Sequence, residues 1–126
     1  MLRLFMSVIL VFWGVGASAQ SADCTGPGYR GAMQVIEAFY RTDPVALFNT
    51  QLQRNAVAGY EVLAPDGAWG PATAAEVCAL LHTYGAINDF QPAAYIRSAA
   101  EAEEFVRWMG SMARFNLNPN GLEAPD

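Results

Sequence analysis

The sequence predicts an all-α fold, a small helical bundle, on three observations. Apolar residues recur at helical spacing in four separate segments. Capping or turn residues bracket each of these segments. No run alternates apolar and polar residues as a half-buried strand would, and there is no internal repeat or low-complexity tract. A chain of 126 residues, 53% hydrophobic and only 15% charged, has room for one small domain and is too apolar for an extended disordered polymer.

The N-terminus is set aside first. Residues 1–19 have the form of a secretory signal peptide: Arg3 supplies the positive start, Leu4 to Val15 is almost wholly apolar, and Ala17-Ser18-Ala19 is a small-residue cleavage pattern. The expected cut lies before Gln20, and the apolar run is shorter than the roughly 20 residues a spanning helix needs. Asp23 stands where a lipidated Cys24 would want a small residue. The mature chain is therefore expected to leave the cytoplasm, to be periplasmic or secreted in a bacterium, and to keep no membrane segment. In an oxidising compartment the chain's two cysteines, Cys24 and Cys78, are expected to form a disulfide. Closing a loop of that length removes chain entropy worth on the order of 4 kcal/mol.

The first helix runs from Arg30 to Arg41, where Ala32, Val35, Ile36, Phe39 and Tyr40 form one stripe. Asp43-Pro44 then offers a cap acceptor followed by proline at the first helical position, and a second helix continues to Gly59 with Val45, Phe48, Leu52 and Ala56 expected on its buried face. From Gly59 to Thr73 the turn-formers Pro65-Asp66-Gly67 and Gly70-Pro71 break the period and mark a structured loop. Thr73 and Glu76 read as a capping box opening the third helix. That helix carries Ala74, Val77, Cys78, Leu81 and Tyr84 inward and is expected to end at Gly85. Asn88 to Arg97 reads as a connector. Ser98 and Glu101 form a second capping box before Ala102, Phe105, Trp108, Met109 and Met112, a core stripe on a fourth helix expected to end near Arg114. Residues 20–115 thus form a single helical domain, and 116–126, with two prolines and Asn120-Gly121, are expected to be a flexible tail.

Composition narrows the function. The net charge is −5 and all seven cations are Arg, which argues against a nucleic-acid partner. A single histidine, His82, precludes any metal or acid–base set needing two imidazoles, and it reads as a surface or helix-end residue. Asp66-Gly67 lacks the alternating oxygen ligands of a calcium loop. Glu101, Glu103 and Glu104 complement the dipole of a first helical turn. No catalytic set, metal site or cofactor is expected.

Leu52-Gln53, Gly59-Tyr60, Asp66-Gly67-Ala68-Trp69-Gly70-Pro71-Ala72-Thr73 and Val77 together resemble the small three-helix peptidoglycan-binding domain family, over about Pro44 to Gly85. The chain departs from that pattern at Glu76, Leu80 and Leu81. The resemblance implies a three-helix core with additional N- and C-terminal helices, and an exported non-catalytic module that binds peptidoglycan, as murein stem peptide or glycan, in a groove beside the loop. Tyr60, Trp69 and Arg54 are the expected lining, two aromatic surfaces and one guanidinium for a peptide carboxylate. Residue chemistry alone gives the loop structural roles: an Asx turn at Asp66, positive φ at Gly67 and Gly70, a Trp69 wedge between helices, and a Thr73 cap. The alternative function is a periplasmic protein–protein interaction module that keeps the fold without binding the wall.

Overall fold

The computed structural model describes residues 23–117, with side chains as far as Met112. The expected signal peptide, and the expected tail beyond Leu117, lie outside the described residues. Among the described residues five helices follow in order: α1 (Arg30–Thr42), α2 (Pro44–Ala58), α3 (Pro71–Asn88), α4 (Pro92–Tyr95) and α5 (Ala99–Leu117). No strand occurs among the described residues, so the all-α bundle is the architecture.

The join between α1 and α2 is one residue, Asp43, and its carboxylate accepts the Ala46 N–H at 3.1 Å. Pro44 at the first helical position costs no hydrogen bond there. α2 ends as expected on Gly59 at φ 84°, a conformation in which a Cβ would be strained. The core forms where α5 packs across α1 and α2 while α4 rests on α1 and α3. Ala32, Ile36 and Tyr40 come from α1, Val77, Leu81 and Tyr84 from α3, and Ala102, Phe105 and Met109 from α5. Tyr84 is the aromatic hub, with Phe105 edge-on at 5.0 Å and Trp108 at 4.9 Å. The Tyr95 hydroxyl donates to Glu104 at 2.9 Å, tying α4 to α5; the nearby carboxylate holds that phenol above its ordinary range.

The disulfide is present: Cys24 and Cys78 are bonded, with Cα atoms 6.0 Å apart. Cys78 faces inward on α3, so the bridge pins the segment ahead of α1 against that helix.

Several expectations need correction. α3 starts at Pro71 with Gly70 as its cap, so Thr73 lies inside the first turn and does not cap it. α3 also runs past Gly85 to Asn88 and closes on Asp89 in the left-handed region, φ 58°. Gly85 is needed for closeness, since a Cβ there would sit 3.0 Å from the Phe90 carbonyl oxygen and 3.1 Å from Pro92 Cδ. The connector contains the one-turn helix α4, begun by Pro92. Ahead of α5, Glu101 accepts the backbone N–H of Arg97, at 2.6 Å, so its carboxylate reaches one residue further back than a Ser98 capping box predicts. α5 continues to Leu117, so Asn116 and Leu117 belong to it and not to a tail.

The largest correction concerns α2. Val45, Phe48 and Leu52 are 67%, 40% and 43% exposed, and Ala56 is also outside; the face expected to be buried is the solvent face. The inward residues are Leu47, Thr50, Gln51, Arg54 and Asn55, which have helical spacing but are mostly polar.

Candidate functional site

The inward polar face of α2 exists to hold the loop of residues 59–70. Such a loop carries many backbone groups without helical partners, and burying them unsatisfied is costly. Asn55 satisfies the first half: its Oδ1 accepts the N–H groups of Val62 and Leu63, both at 2.9 Å, and its Nδ2 donates to the Leu63 carbonyl at 2.8 Å. These bonds seat the Leu63 side chain, which is buried. One turn earlier, Gln51 satisfies the second half. Its Oε1 accepts the Gly67 N–H at 2.9 Å, and its Nε2 faces Thr73 Oγ1 at 3.1 Å, the Ala68 carbonyl at 3.2 Å and Asp66 Oδ1 at 3.3 Å. Two amides at i and i+4 therefore organise the whole loop.

Within this frame the motif residues take defined places. Asp66 makes the expected Asx turn, accepting the Ala68 N–H at 2.9 Å. That backbone bond, helped by the Gln51 amide and opposed by desolvation, holds the Asp66 carboxyl below its ordinary range. Gly67 has the expected positive φ, 67°, and is also crowded: a Cβ would lie 3.2 Å from the Pro44 carbonyl oxygen. Gly70 does not have positive φ; at −146° it is extended. Thr73, buried in the first turn of α3, is a partner of Gln51.

Trp69 is half-buried and packs on the core beside Tyr40, with ring centroids 5.8 Å apart. Tyr40 is itself buried, shares a 2.8 Å hydrogen bond with Thr50, and has its phenol pushed far above the ordinary range by that burial. Trp69, Tyr40, Leu47 and the backbone of Gly67 and Ala68 line a cleft of about 240 Å³, edged by Pro44 and Arg41.

The other two expected lining residues are elsewhere. Arg54 lies between α2 and α3, where its Nε meets Glu76 Oε1 at 3.5 Å. Tyr60 is 65% exposed and does not border the Trp69 cleft. The cation at the cleft is Arg41, which also pairs with Glu37 through Nε at 2.9 Å. Sequence spacing gave no signal for Arg41, because it falls at the end of another helix and reaches the loop only through the tight α1–α2 turn. Gln51 was also missed: the resemblance drew attention to Leu52-Gln53, whereas Leu52 is exposed and Gln53 lies beside Gly110 of α5.

His82 is half-buried, stacked on Tyr29 at 4.0 Å, with Nε2 2.9 Å from the Asp23 carbonyl oxygen. Cys24, Cys78 and His82 bring three donor atoms within 4.8 Å of one another, but both sulfurs are committed to the disulfide and are not thiolate ligands. No helix among the described residues is long and apolar enough to cross a membrane.

Comparison with protein-family models, with curated proteins and with solved structures finds no match to this chain. None of these comparisons supports the resemblance to peptidoglycan-binding domains read from the sequence.

Proposed function

We propose that this chain is an exported, non-catalytic recognition module that binds peptidoglycan at the cleft beside Trp69. The observation that carries the reading is the cleft: a half-buried indole with a guanidinium at its edge, on a loop fixed by Gln51. An aromatic surface suits the apolar part of a stem peptide or sugar, and Arg41 suits a peptide carboxylate. The fixed loop lowers the ordering cost of binding. The acidic net charge of the chain opposes an anionic ligand only weakly, since salt screens beyond about 8 Å.

Co-sedimentation with purified sacculi tests this. The oxidised mature chain should pellet with them. Arg41→Ala, and Trp69→Ala if its circular dichroism is unchanged, should reduce the pelleted fraction. Tyr60→Ala and Arg54→Ala, which lie off the cleft, should not. A wild-type chain that stays in the supernatant overturns the reading.

The exposed Val45, Phe48 and Leu52 favour a second reading, an envelope interaction module that docks a protein on α2. Retention on a protein bait, with no affinity for sacculi and with loss of retention in Phe48→Ser, would favour it over the first.

A further inference from the structure

Cys78 and His82 stand four residues apart on α3, so their side chains leave the same face of that helix one turn apart. Cys24 arrives over this face from the segment ahead of α1, and one donor atom from each of the three residues lies within 4.8 Å of the others. In the oxidised chain the two sulfurs are bonded to each other. Reduced, they become thiols beside an imidazole, and two thiolates with one imidazole are ligands that zinc takes.

The three ligands are kept together by more than the bridge. His82 Nε2 lies 2.9 Å from the Asp23 carbonyl oxygen, the imidazole stacks on Tyr29 at 4.0 Å, and the Gly28 carbonyl accepts the Ala93 N–H at 2.9 Å. None of these contacts uses sulfur, so they hold the segment carrying Cys24 against the bundle when the S–S bond is broken. The imidazole is also prepared as a ligand. A carbonyl oxygen only accepts, so Nε2 carries the proton and the other ring nitrogen keeps the lone pair that a metal requires. Metal-bound histidines are ordinarily held by such a bond.

The spacing suits a tetrahedral ion. Zinc bonded to sulfur at about 2.3 Å and to nitrogen at about 2.0 Å sets its sulfurs about 3.8 Å apart and each about 3.6 Å from the nitrogen. Cysteines whose Cα atoms are 6.0 Å apart reach the first spacing by rotating their side chains. The second asks the imidazole and sulfurs, within 4.8 Å of one another, to close by about 1 Å. Cys78 is buried but Cys24 and His82 are half-buried, so a fourth ligand position would face solvent and take water. The Asp23 carboxylate, which could compete for that position, already accepts the Thr25 N–H at 2.9 Å and the Thr25 hydroxyl at 2.6 Å.

We propose that the reduced chain binds one Zn²⁺ through Cys24, Cys78 and His82, with water as the fourth ligand, so that disulfide and metal centre are alternative states of one site. A dithiol reductant breaks the S–S bond, passes two electrons and two protons to the sulfurs, and itself closes to a disulfide. Zn²⁺ then displaces both thiol protons, so its apparent affinity rises with pH. Bound metal holds the thiolates back from oxidation, and oxidation leaves the metal no thiolate. None of the three residues lines the Trp69 cleft, and the site does not depend on the wall-binding reading.

The test titrates the mature chain, reduced with a phosphine under argon, with Co²⁺ and then with Zn²⁺. One Co²⁺ per chain should bind with the visible bands of a tetrahedral ion and a near-ultraviolet sulfur-to-cobalt band, and Zn²⁺ should displace it. His82→Ala and Cys24→Ser should each weaken Zn²⁺ binding by at least about tenfold, the least that even an outer partner of a metal site is worth. Where reduction lowers the helical circular dichroism, Zn²⁺ should restore it. Bound Zn²⁺ should also slow reoxidation by oxidised glutathione. Absence of binding overturns the proposal, as do an octahedral cobalt spectrum, one metal shared between two chains, a His82→Ala variant that binds as wild type does, or equal binding to the oxidised chain. Binding to a reduced chain that stays unfolded overturns it too, because loose thiols need no built site. Pelleting of the oxidised chain with sacculi is independent of all these outcomes.

Discussion

Replacing Gln51 by Ala tests how the loop is held. The side chain is fully buried, and its loss would strip the Gly67 N–H of its acceptor and the Thr73 hydroxyl and Ala68 carbonyl of a shared donor. A buried polar group left unpaired costs about 1–3 kcal/mol, more than the net worth of the bond it made. Gly67 and Ala68 are near enough to the surface for water to recover part of this, whereas Thr73 is buried. With the cavity left by the missing side chain, a loss of about 2–4 kcal/mol follows. Against a total of about 5–15 kcal/mol for a domain, that should lower Tm by about 10–25 °C. Urea and thermal unfolding followed by circular dichroism read it directly. Gln53→Ala is the control: its side chain is half-buried beside Gly110 and carries no loop bond, so its cost should be well below that of Gln51→Ala. If Gln51→Ala lies within about 0.5 kcal/mol of wild type, the ordinary range of surface substitutions, the amide does not organise the loop.

Two further outcomes follow from local geometry. Gly85→Ala should destabilise by about 1–3 kcal/mol in urea melts, because crowding against the Phe90 carbonyl and Pro92 outweighs the roughly 1 kcal/mol that Ala gains over Gly inside a helix; a stabilised variant would contradict the close approach. Asp66 has a folded-state pKa below its ordinary 3.8, so its contribution is complete above that value and is lost as pH falls through the lowered one. Asp66→Asn should therefore flatten part of the acid limb of a stability–pH curve, leaving the part due to Asp23, whose carboxyl the Thr25 hydroxyl and N–H also hold low.

Much of the fold was legible because helix ends are chemically marked. Asp43-Pro44 and Gly59 placed α2 to the residue, and the stripe of Ala32, Ile36 and Tyr40 gave α1 its buried face. The cysteine pair was legible from compartment chemistry. What failed was local competition between equivalent signals. Thr73 and Pro71 both mark a helix start, and Pro71 prevailed while Thr73 was drawn inward by Gln51. Gly85 looked like a terminator because its contact with Phe90 and Pro92, five and seven residues on, cannot be seen in a one-dimensional pattern. In the loop, the Asx turn at Asp66 and the positive φ at Gly67 were legible because both are set locally. Arg54 and Tyr60 lie off the Trp69 cleft, whose second wall comes from α1 through Tyr40 and Arg41, a meeting of distant segments that spacing along the chain does not show.

The inversion of α2 has a physical cause and leaves a consequence. An apolar stripe normally turns inward because burying each side chain yields about 1.5–3 kcal/mol. Here that gain is set against a twelve-residue loop whose carbonyl and N–H groups would go unpaired, and the helix turns its amides to them instead. Val45, Phe48 and Leu52 are thereby left outside, where the packing of this chain gives them no reason to be apolar. The stripe also adjoins the Trp69 cleft. Pro44 edges the cleft and neighbours Val45, and a Cβ on Gly67 would touch both Pro44 and Phe48. Wall binding in the cleft and protein docking on α2 would thus meet along one edge of the molecule, where an occupant of either surface is positioned to help or obstruct the other.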